Sequence, residues 1–98
     1  MNILFMLIGE FISLVEMWEH DNPLENGRLI LDKEEFKEFL ETYAFMSFQA
    51  KVKVYKTLNF IIHDKTSYTM PHKENGQKKA VRKVIINYQT YQVIKALL

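Results

Sequence analysis

Two segments with helical periodicity lie only a few residues apart in the middle of the chain, and this spacing constrains the fold more than any other feature. The first segment follows Asp32, a residue type that often caps helices. Its apolar residues recur at the i, i+3, i+4, i+7 spacing of one helical face: Phe36, Phe39, Leu40 and Tyr43. The second segment follows Ser47, and only residues 44–46 separate the two. The sequence therefore predicts two consecutive helices joined by a tight connection.

A β-hairpin is predicted after this helix pair. Asn75-Gly76 is a dipeptide that favours the tight turn between two antiparallel strands. The returning strand, residues 80–86, is rich in β-branched residues. The preceding strand is predicted at residues 67–70 and ends before Pro71, which cannot donate a hydrogen bond to a sheet. The lysines between the two strands give this hairpin a basic tip.

The remaining patterns complete one α+β domain over residues 1–98. Residues 3–19 have helical period, residues 28–31 suffice for one short strand, and Asn87 is positioned to cap a last helix. The predicted order is helix, strand, helix, helix, strand, strand, helix. The chain contains no internal repeat and no interdomain linker.

A helix pair followed by a β-hairpin with a basic tip resembles the winged helix-turn-helix family, and the resemblance covers nearly the whole chain. It implies a three-helix core with a small antiparallel sheet, in which residues 28–31 pair with the hairpin strands. In that family the second helix of the pair usually enters the major groove of DNA, while the hairpin, or wing, touches the DNA backbone or minor groove. The resemblance therefore implies a DNA-binding protein.

The charge distribution favours the same function. Residues 1–48 hold three basic and ten acidic residues, a net charge of −7, whereas residues 49–98 hold ten basic and two acidic residues, a net charge of +8; together they give the overall +1. Such asymmetry is typical of chains whose basic half binds a polyanion. The alternative is that the two halves attract each other within the fold.

The candidate DNA-binding residues cluster on the second helix of the pair and on the hairpin. The helix offers Ser47, Gln49, Lys51, Lys53 and Lys56. The hairpin offers Lys73, Lys78, Lys79, Arg82 and Lys83. Lysine suits phosphate contacts and glutamine suits an adenine edge, so we expect phosphate contacts to dominate the affinity for DNA. Duplex DNA is the favoured partner, and single-stranded DNA is the alternative. The alternative is that these lysines form an ordinary solvated surface, and Lys51 fits neither side of its helix cleanly.

No residue pattern predicts catalysis, a cofactor or a metal site. The chain has no cysteine, and its three histidines, His20, His63 and His72, lack metal-ligand spacing. Neither a nucleophile elbow nor a glycine-rich phosphate loop is present. We therefore expect a non-enzymatic protein without a small-molecule substrate: a transcriptional regulator, or an accessory factor of replication or of a mobile element. The alternative is a winged-helix protein-interaction module, an inhibitor or assembly factor, with no direct role on DNA.

The first helix is predicted to be neither a secretion signal nor a membrane span. Residues 1–9 are apolar, but no basic segment precedes them and no cleavage pattern follows. Glu10 and Glu16 interrupt the apolar stretch long before the roughly 20 residues that a membrane span needs. The expected location is the cytoplasm.

The same helix carries more apolar residues than one core-facing side requires. Phe5, Met6 and Ile12 are left over at angles that would expose them to water. An exposed apolar patch usually marks an interface, so these three residues predict a homodimer formed through the first helix. The alternatives are that the wing or the last helix covers them within one chain, or that residues 1–6 fray.

Overall fold

The computed structural model describes residues 2–74 and 76–98, and over these residues four helices surround one small antiparallel sheet. The helices are α1 (Ile3–Asp21), α2 (Lys33–Glu41), α3 (Phe48–Thr57) and α4 (Tyr88–Leu97). The strands are β1 (Leu29–Leu31), β2 (Ile61–Ile62), β3 (Met70–His72) and β4 (Val81–Ile86). The α+β class is confirmed, and the order of elements is α-β-α-α-β-β-β-α, with one strand more than predicted.

β4 is the strand with which every other strand pairs. β1 and β2 flank its second half, so that Leu29 and Ile61 both lie opposite Ile86. β3 pairs with its first half, where Met70 lies opposite Lys83. All three pairings are antiparallel. β1, which precedes the helix pair, and β2, which follows it, are therefore both held by β4.

The predicted strand at residues 67–70 is wrong in its position. The side chain of Asp64 accepts hydrogen bonds from the backbone amides of Thr66 (3.1 Å) and Ser67 (2.8 Å), which holds this segment in a turn instead of a ladder. β3 begins at Met70 and continues through Pro71. Proline is tolerated because β3 pairs only with β4 among the described strands, and an edge strand can lack one donor.

The predicted hairpin turn lies partly outside the described residues, because Asn75 is not among them. Gly76 has a positive φ of 85°, a conformation that glycine adopts without strain. The amide of Gln77 donates to the carbonyl of Glu74 at 3.1 Å. The chain therefore reverses at the predicted place.

Two of three predicted helix caps are confirmed in full. Ser47 accepts from the amide of Ala50 (3.2 Å), and Asn87 accepts from the amide of Thr90 (3.3 Å). Asp32 occupies the N-cap position of α2, but its side chain makes no capping hydrogen bond. Its carboxylate instead pairs with Lys83 of β4.

Aromatic rings from α1, α2, α3 and the segment before β2 form the centre of the core. The Phe11 ring stacks on that of Phe60 with centroids 4.2 Å apart, and Tyr55 meets both rings edge-on. Phe36 of α2 packs against Tyr55 with centroids 5.7 Å apart. These contacts bury α1, α2 and α3 against the start of the sheet.

Two sides of α1 are covered within the chain. Leu7, Phe11 and Leu14 face the core and are fully buried or nearly so. A second side faces α4, where the Tyr91 hydroxyl donates to Glu16 (3.2 Å). The third side is open at Gly9, where an added Cβ would meet no heavy atom within 4 Å. Leu4, in the first turn, is exposed.

Replacing Gly9 with alanine should stabilise the protein. Glycine in a helix interior costs about 1 kcal/mol relative to alanine, and nothing within this chain needs the missing side chain. Urea denaturation should therefore show the free energy of unfolding of Gly9→Ala rising by about that amount. An unchanged or lower stability would show that the Gly9 side of α1 is not open in this way.

Candidate nucleic-acid interface

Lys51 does not lie on the surface, and its predicted contact with DNA is wrong. Its side chain is 0 % exposed. Its ammonium group donates to the Glu10 carboxylate (2.6 Å) and to the carbonyl oxygens of Leu40 (2.5 Å) and Tyr43 (2.6 Å). An ammonium group has three donors, and all three are used here. No donor is left for a phosphate.

The groups around Lys51 form a buried polar cluster that we call the Lys51 clamp: Glu10, Lys51, Tyr55 and the carbonyls of Leu40 and Tyr43. The Tyr55 hydroxyl donates to the second oxygen of Glu10 at 2.8 Å. Burial, together with the negative charge of Glu10 and this hydrogen bond, raises the pKa of Tyr55 far above its usual value. The Lys51 ammonium also lies 4.2 Å from the ring centroid of Phe45.

The inward direction of Lys51 determines which side of α3 faces solvent. Gln49 and Lys53 are each two residues from Lys51, which places them about 200° around the helix on the opposite side. Both are exposed, as is Ser47 at the start of the helix, and Lys56 is half-buried. Within residues 2–74 and 76–98, neither Lys53 nor Lys56 forms an ion pair. These four residues, Ser47, Gln49, Lys53 and Lys56, are the α3 outer face.

The predicted hairpin residues divide into two groups. Lys73, Lys78 and Lys79 are exposed near the tip, and none of them pairs with an acid in the part of the chain that the structure describes. Arg82 and Lys83 lie on β4 and are both paired with acids. The tip therefore carries uncompensated positive charge, whereas the base of the hairpin does not.

Arg82 holds the loop between β2 and β3. Its guanidinium donates to Asp64 (2.9 Å), to the Thr69 carbonyl (2.6 Å) and to the Thr69 hydroxyl (2.8 Å). The hydrogen bond from Arg82, followed by those from the amides of Thr66 and Ser67, lowers the pKa of Asp64. The Arg82 side chain remains 44 % exposed, so part of it is still accessible.

Lys83 connects the sheet to the start of α2. Its ammonium pairs with Asp32, and this hydrogen bond raises the pKa of Lys83. The pair joins β4 to the residue that precedes α2. Its charge is compensated within the fold, which weakens it as a candidate for phosphate binding.

His63 joins α3 to the β2–β3 loop. Its Nε2 lies 3.2 Å from the carbonyl of Lys56, and its Nδ1 lies 2.8 Å from the carbonyl of Asp64. A neutral ring donates to only one of these oxygens, and the imidazolium donates to both. Because Asp64 in turn binds Arg82, a chain of contacts runs from the last turn of α3 to the hairpin strand.

The three residues predicted to form a dimer interface do not form one exposed patch. Phe5 is 70 % exposed, as predicted. Met6 is half-buried on a different side of α1. Ile12 packs against the core cluster, so its prediction as a wet residue is wrong. It lies one turn from Glu16, which contacts Tyr91 of α4, and α4 therefore runs along this side of α1.

Sequence reasoning missed the partners of Lys51. The signal was present as two charges on apolar helix faces: Lys51 fitted neither side of α3, and Glu10 interrupts the apolar stretch of α1. A buried charge requires a partner. Two such misfits of opposite sign in one small chain indicate a buried pair.

No protein-family model matches this chain, and no curated protein sequence is significantly similar to it. In residues 2–74 and 76–98, no helix is both long and apolar enough to cross a membrane. The described side chains also contain no group of three histidine, aspartate or glutamate residues that could hold a metal ion.

Removing one member of the Lys51 clamp should destabilise the protein strongly. Lys51→Met leaves the Glu10 carboxylate buried without its counter-charge, and breaking a buried pair in this way costs about 3–5 kcal/mol. The double variant Glu10→Leu with Lys51→Met should cost less than the sum of the two single variants, because no charge is then left unpaired.

Urea denaturation of the single and double variants measures these costs. Lys53→Met is the matched control, since it makes the same substitution on the exposed side of α3 and should change stability by no more than about 0.5 kcal/mol. Equal effects of Lys51→Met and Lys53→Met would refute the buried position of Lys51.

Proposed function

We propose that the protein is a winged helix-turn-helix DNA-binding protein. The order of its elements supports this proposal, because a tight helix pair, α2 and α3, precedes the strands of the hairpin. The sheet supports it as well: β1 pairs with β4, and β2 and β3 pair with successive stretches of β4 in the same antiparallel sense. Under this proposal α3 is the recognition helix, and the segment from β3 to β4 is the wing.

The observation that carries the proposal is the composition of the α3 outer face. Lys53 and Lys56 have no acidic partner in the described residues and lie on the same side of the helix as Gln49. Lysine binds phosphate as a mobile point charge, and glutamine can form two hydrogen bonds to adenine. α3 is about 15 Å long, which suits the B-DNA major groove.

The exposed lysines of the hairpin tip extend this basic surface. Lys73, Lys78 and Lys79 follow phosphates beside the recognition helix, while the Arg82–Asp64 pair and His63 hold the wing against α3. Phosphate contacts supply most of the affinity. The protein acts without catalysis or cofactor, as a transcriptional regulator or an accessory factor of replication or a mobile element.

Binding to duplex DNA should weaken steeply as salt rises. Five exposed or half-exposed lysines, two on α3 and three at the hairpin tip, give a slope of about −4.5 in log K against log salt, at about 0.9 per phosphate neutralised. Lys53→Ala with Lys56→Ala should reduce the slope by about 2. A gel-shift titration with duplex and single-stranded DNA at two salt concentrations measures both quantities.

The matched control removes two lysines from α2, Lys33→Ala with Lys37→Ala, and should leave the slope unchanged. A slope near zero for the wild type, or equal losses in the two double variants, would refute binding through the α3 outer face.

We also propose that the protein forms a homodimer through the N-terminal end of α1. Ile3, Leu4 and Phe5 are exposed there. α4 runs antiparallel to α1, because Tyr88 contacts Glu19 while Tyr91 contacts Glu16. The exposed end of α4, with Leu97 and Leu98, therefore points towards the same end of the molecule. Exposed apolar residues gathered at one end of a molecule are most often covered by two-fold pairing, and the dimer would present two recognition helices.

Analytical ultracentrifugation at micromolar concentration should give twice the mass of the 11.7 kDa chain. Phe5→Glu should dissociate the dimer without loss of helical signal, because Phe5 makes few contacts within its own chain. Met17→Glu places the same charge on an exposed apolar residue elsewhere on α1 and should leave the dimer intact. A wild-type monomer would exclude this interface.

A further inference from the structure

The open side of α1 forms one wall of a groove of about 920 Å³. The opposite wall comes from α2 and the segment that follows it. The walls are apolar or aromatic and include Met6, Met17, Trp18, Phe39, Tyr43 and Phe45. We call this surface the α1–α2 groove.

Small residues make the α1–α2 groove deep along its length. Gly9 and Ser13 lie one turn apart on the α1 wall, between Met6 and Met17. Space is open above Gly9, since an added Cβ would contact nothing within 4 Å. Met6 and Met17 are eleven residues apart, about 16 Å along the helix axis. This length corresponds to three turns of an α-helix.

The rim of the groove is negatively charged. Glu35 and Glu38 are exposed on the α2 side, and neither makes an ion pair within residues 2–74 and 76–98. Glu10 lies at the base of the groove, but its charge is matched by Lys51. The uncompensated negative charge therefore lies at the edge of the groove, on Glu35 and Glu38.

We propose that the α1–α2 groove binds an amphipathic helix of a partner protein, with apolar residues on one face and lysine or arginine on the flanks. The residues that line the groove belong mainly to α1 and α2, and none of them lies on a strand, so the partner is not held by adding a strand to a sheet. The partner helix is instead anchored by its own side chains at positions i, i+3 or i+4, and i+7. The apolar residues fill the space above Gly9 and Ser13, and the basic flanks meet Glu35 and Glu38. This interaction is independent of DNA binding through α3.

The charge of the rim favours a partner protein over a second copy of this chain. The exposed apolar side of α4 carries Val93 and Leu97, but Lys95, the base in its last turn, already pairs with Glu16. The α3 outer face carries Lys53 and Lys56, which pair with no acid among the described residues, but the exposed apolar residue nearest to them, Leu58, stands alone at the C-cap of α3 and forms no apolar stripe with them. Neither surface combines an apolar stripe with free basic flanks.

Trp18, the single tryptophan of the chain, lines the groove and reports its occupancy directly. The probe is a synthetic helical peptide of about three turns with leucine on one face and lysine on its flanks; the comparison peptide carries glutamate in place of lysine. Tryptophan emission should shift and saturate with the lysine peptide at micromolar concentration and remain unchanged with the glutamate peptide. Equal binding of the two peptides, or no binding of the lysine peptide, would overturn the proposal.

Two variants test the geometry of the groove. Gly9→Leu places a bulky side chain in the groove, at a position where an added Cβ would meet no heavy atom within 4 Å, and should weaken binding of the lysine peptide at least about tenfold, as expected when the centre of an interface is blocked. Glu35→Lys with Glu38→Lys should reverse the preference towards the glutamate peptide. Circular dichroism shows whether each variant is folded.

The control is Glu34→Lys with Glu41→Lys, which changes the net charge equally on exposed residues of α2 outside the groove and should leave peptide binding intact. Equal effects of the two charge-reversal variants would reduce the interaction to general electrostatic attraction and refute the groove. A Trp18 emission that shifts with protein concentration in the absence of peptide would assign the groove to a second copy instead.

Discussion

The buried ammonium group of Lys51 joins three helices at one point. It belongs to α3, pairs with Glu10 of α1, and donates to the carbonyl of Leu40 in the last turn of α2 and to that of Tyr43 just beyond the helix. The last carbonyls of a helix lack intrahelical donors and carry partial negative charge, so a cation there is favourable on both counts. All three donors of the Lys51 ammonium have acceptors on α1, on α2 or just after α2. These hydrogen bonds fix which side of α3 faces the other two helices.

The surfaces of the molecule follow from this rotation. With Lys51 directed inward, Gln49 and Lys53 face outward on the opposite side of α3. With Glu10 directed into the same cluster, the next side of α1, at Gly9 and Ser13, is left uncovered as a groove wall. One buried pair thus separates a basic surface that suits DNA from an acid-rimmed apolar surface that suits a helix.

Local sequence signals predicted most of the secondary structure. The sequence predicts the caps at Ser47 and Asn87 and the β-branched strand β4, because these features depend on residues only a few positions apart. The errors arose where distant contacts decide. Lysine counts as a surface residue until a buried acid is found 41 positions away. Arg82 and Lys83 count as free cations of the hairpin until their partners Asp64 and Asp32 are found 18 and 51 positions away, and the cover over Ile12 depends on α4. For the candidate site, the exposed lysines could be predicted from the sequence. That Lys51, Arg82 and Lys83 are instead paired with acids could be seen only from the folded structure.

A titration of the isotope-labelled protein with duplex DNA, followed by amide NMR signals, maps the surface that contacts DNA. We propose that this surface is the side of α3 opposite Lys51 together with the hairpin tip. The signals of Gln49, Lys53 and Lys56 and of the lysines at the tip should therefore shift, and the Trp18 indole signal should stay unchanged. Shifts confined to the residues of the α1–α2 groove, or no shifts at all at low salt, would refute DNA binding through α3 and the hairpin tip.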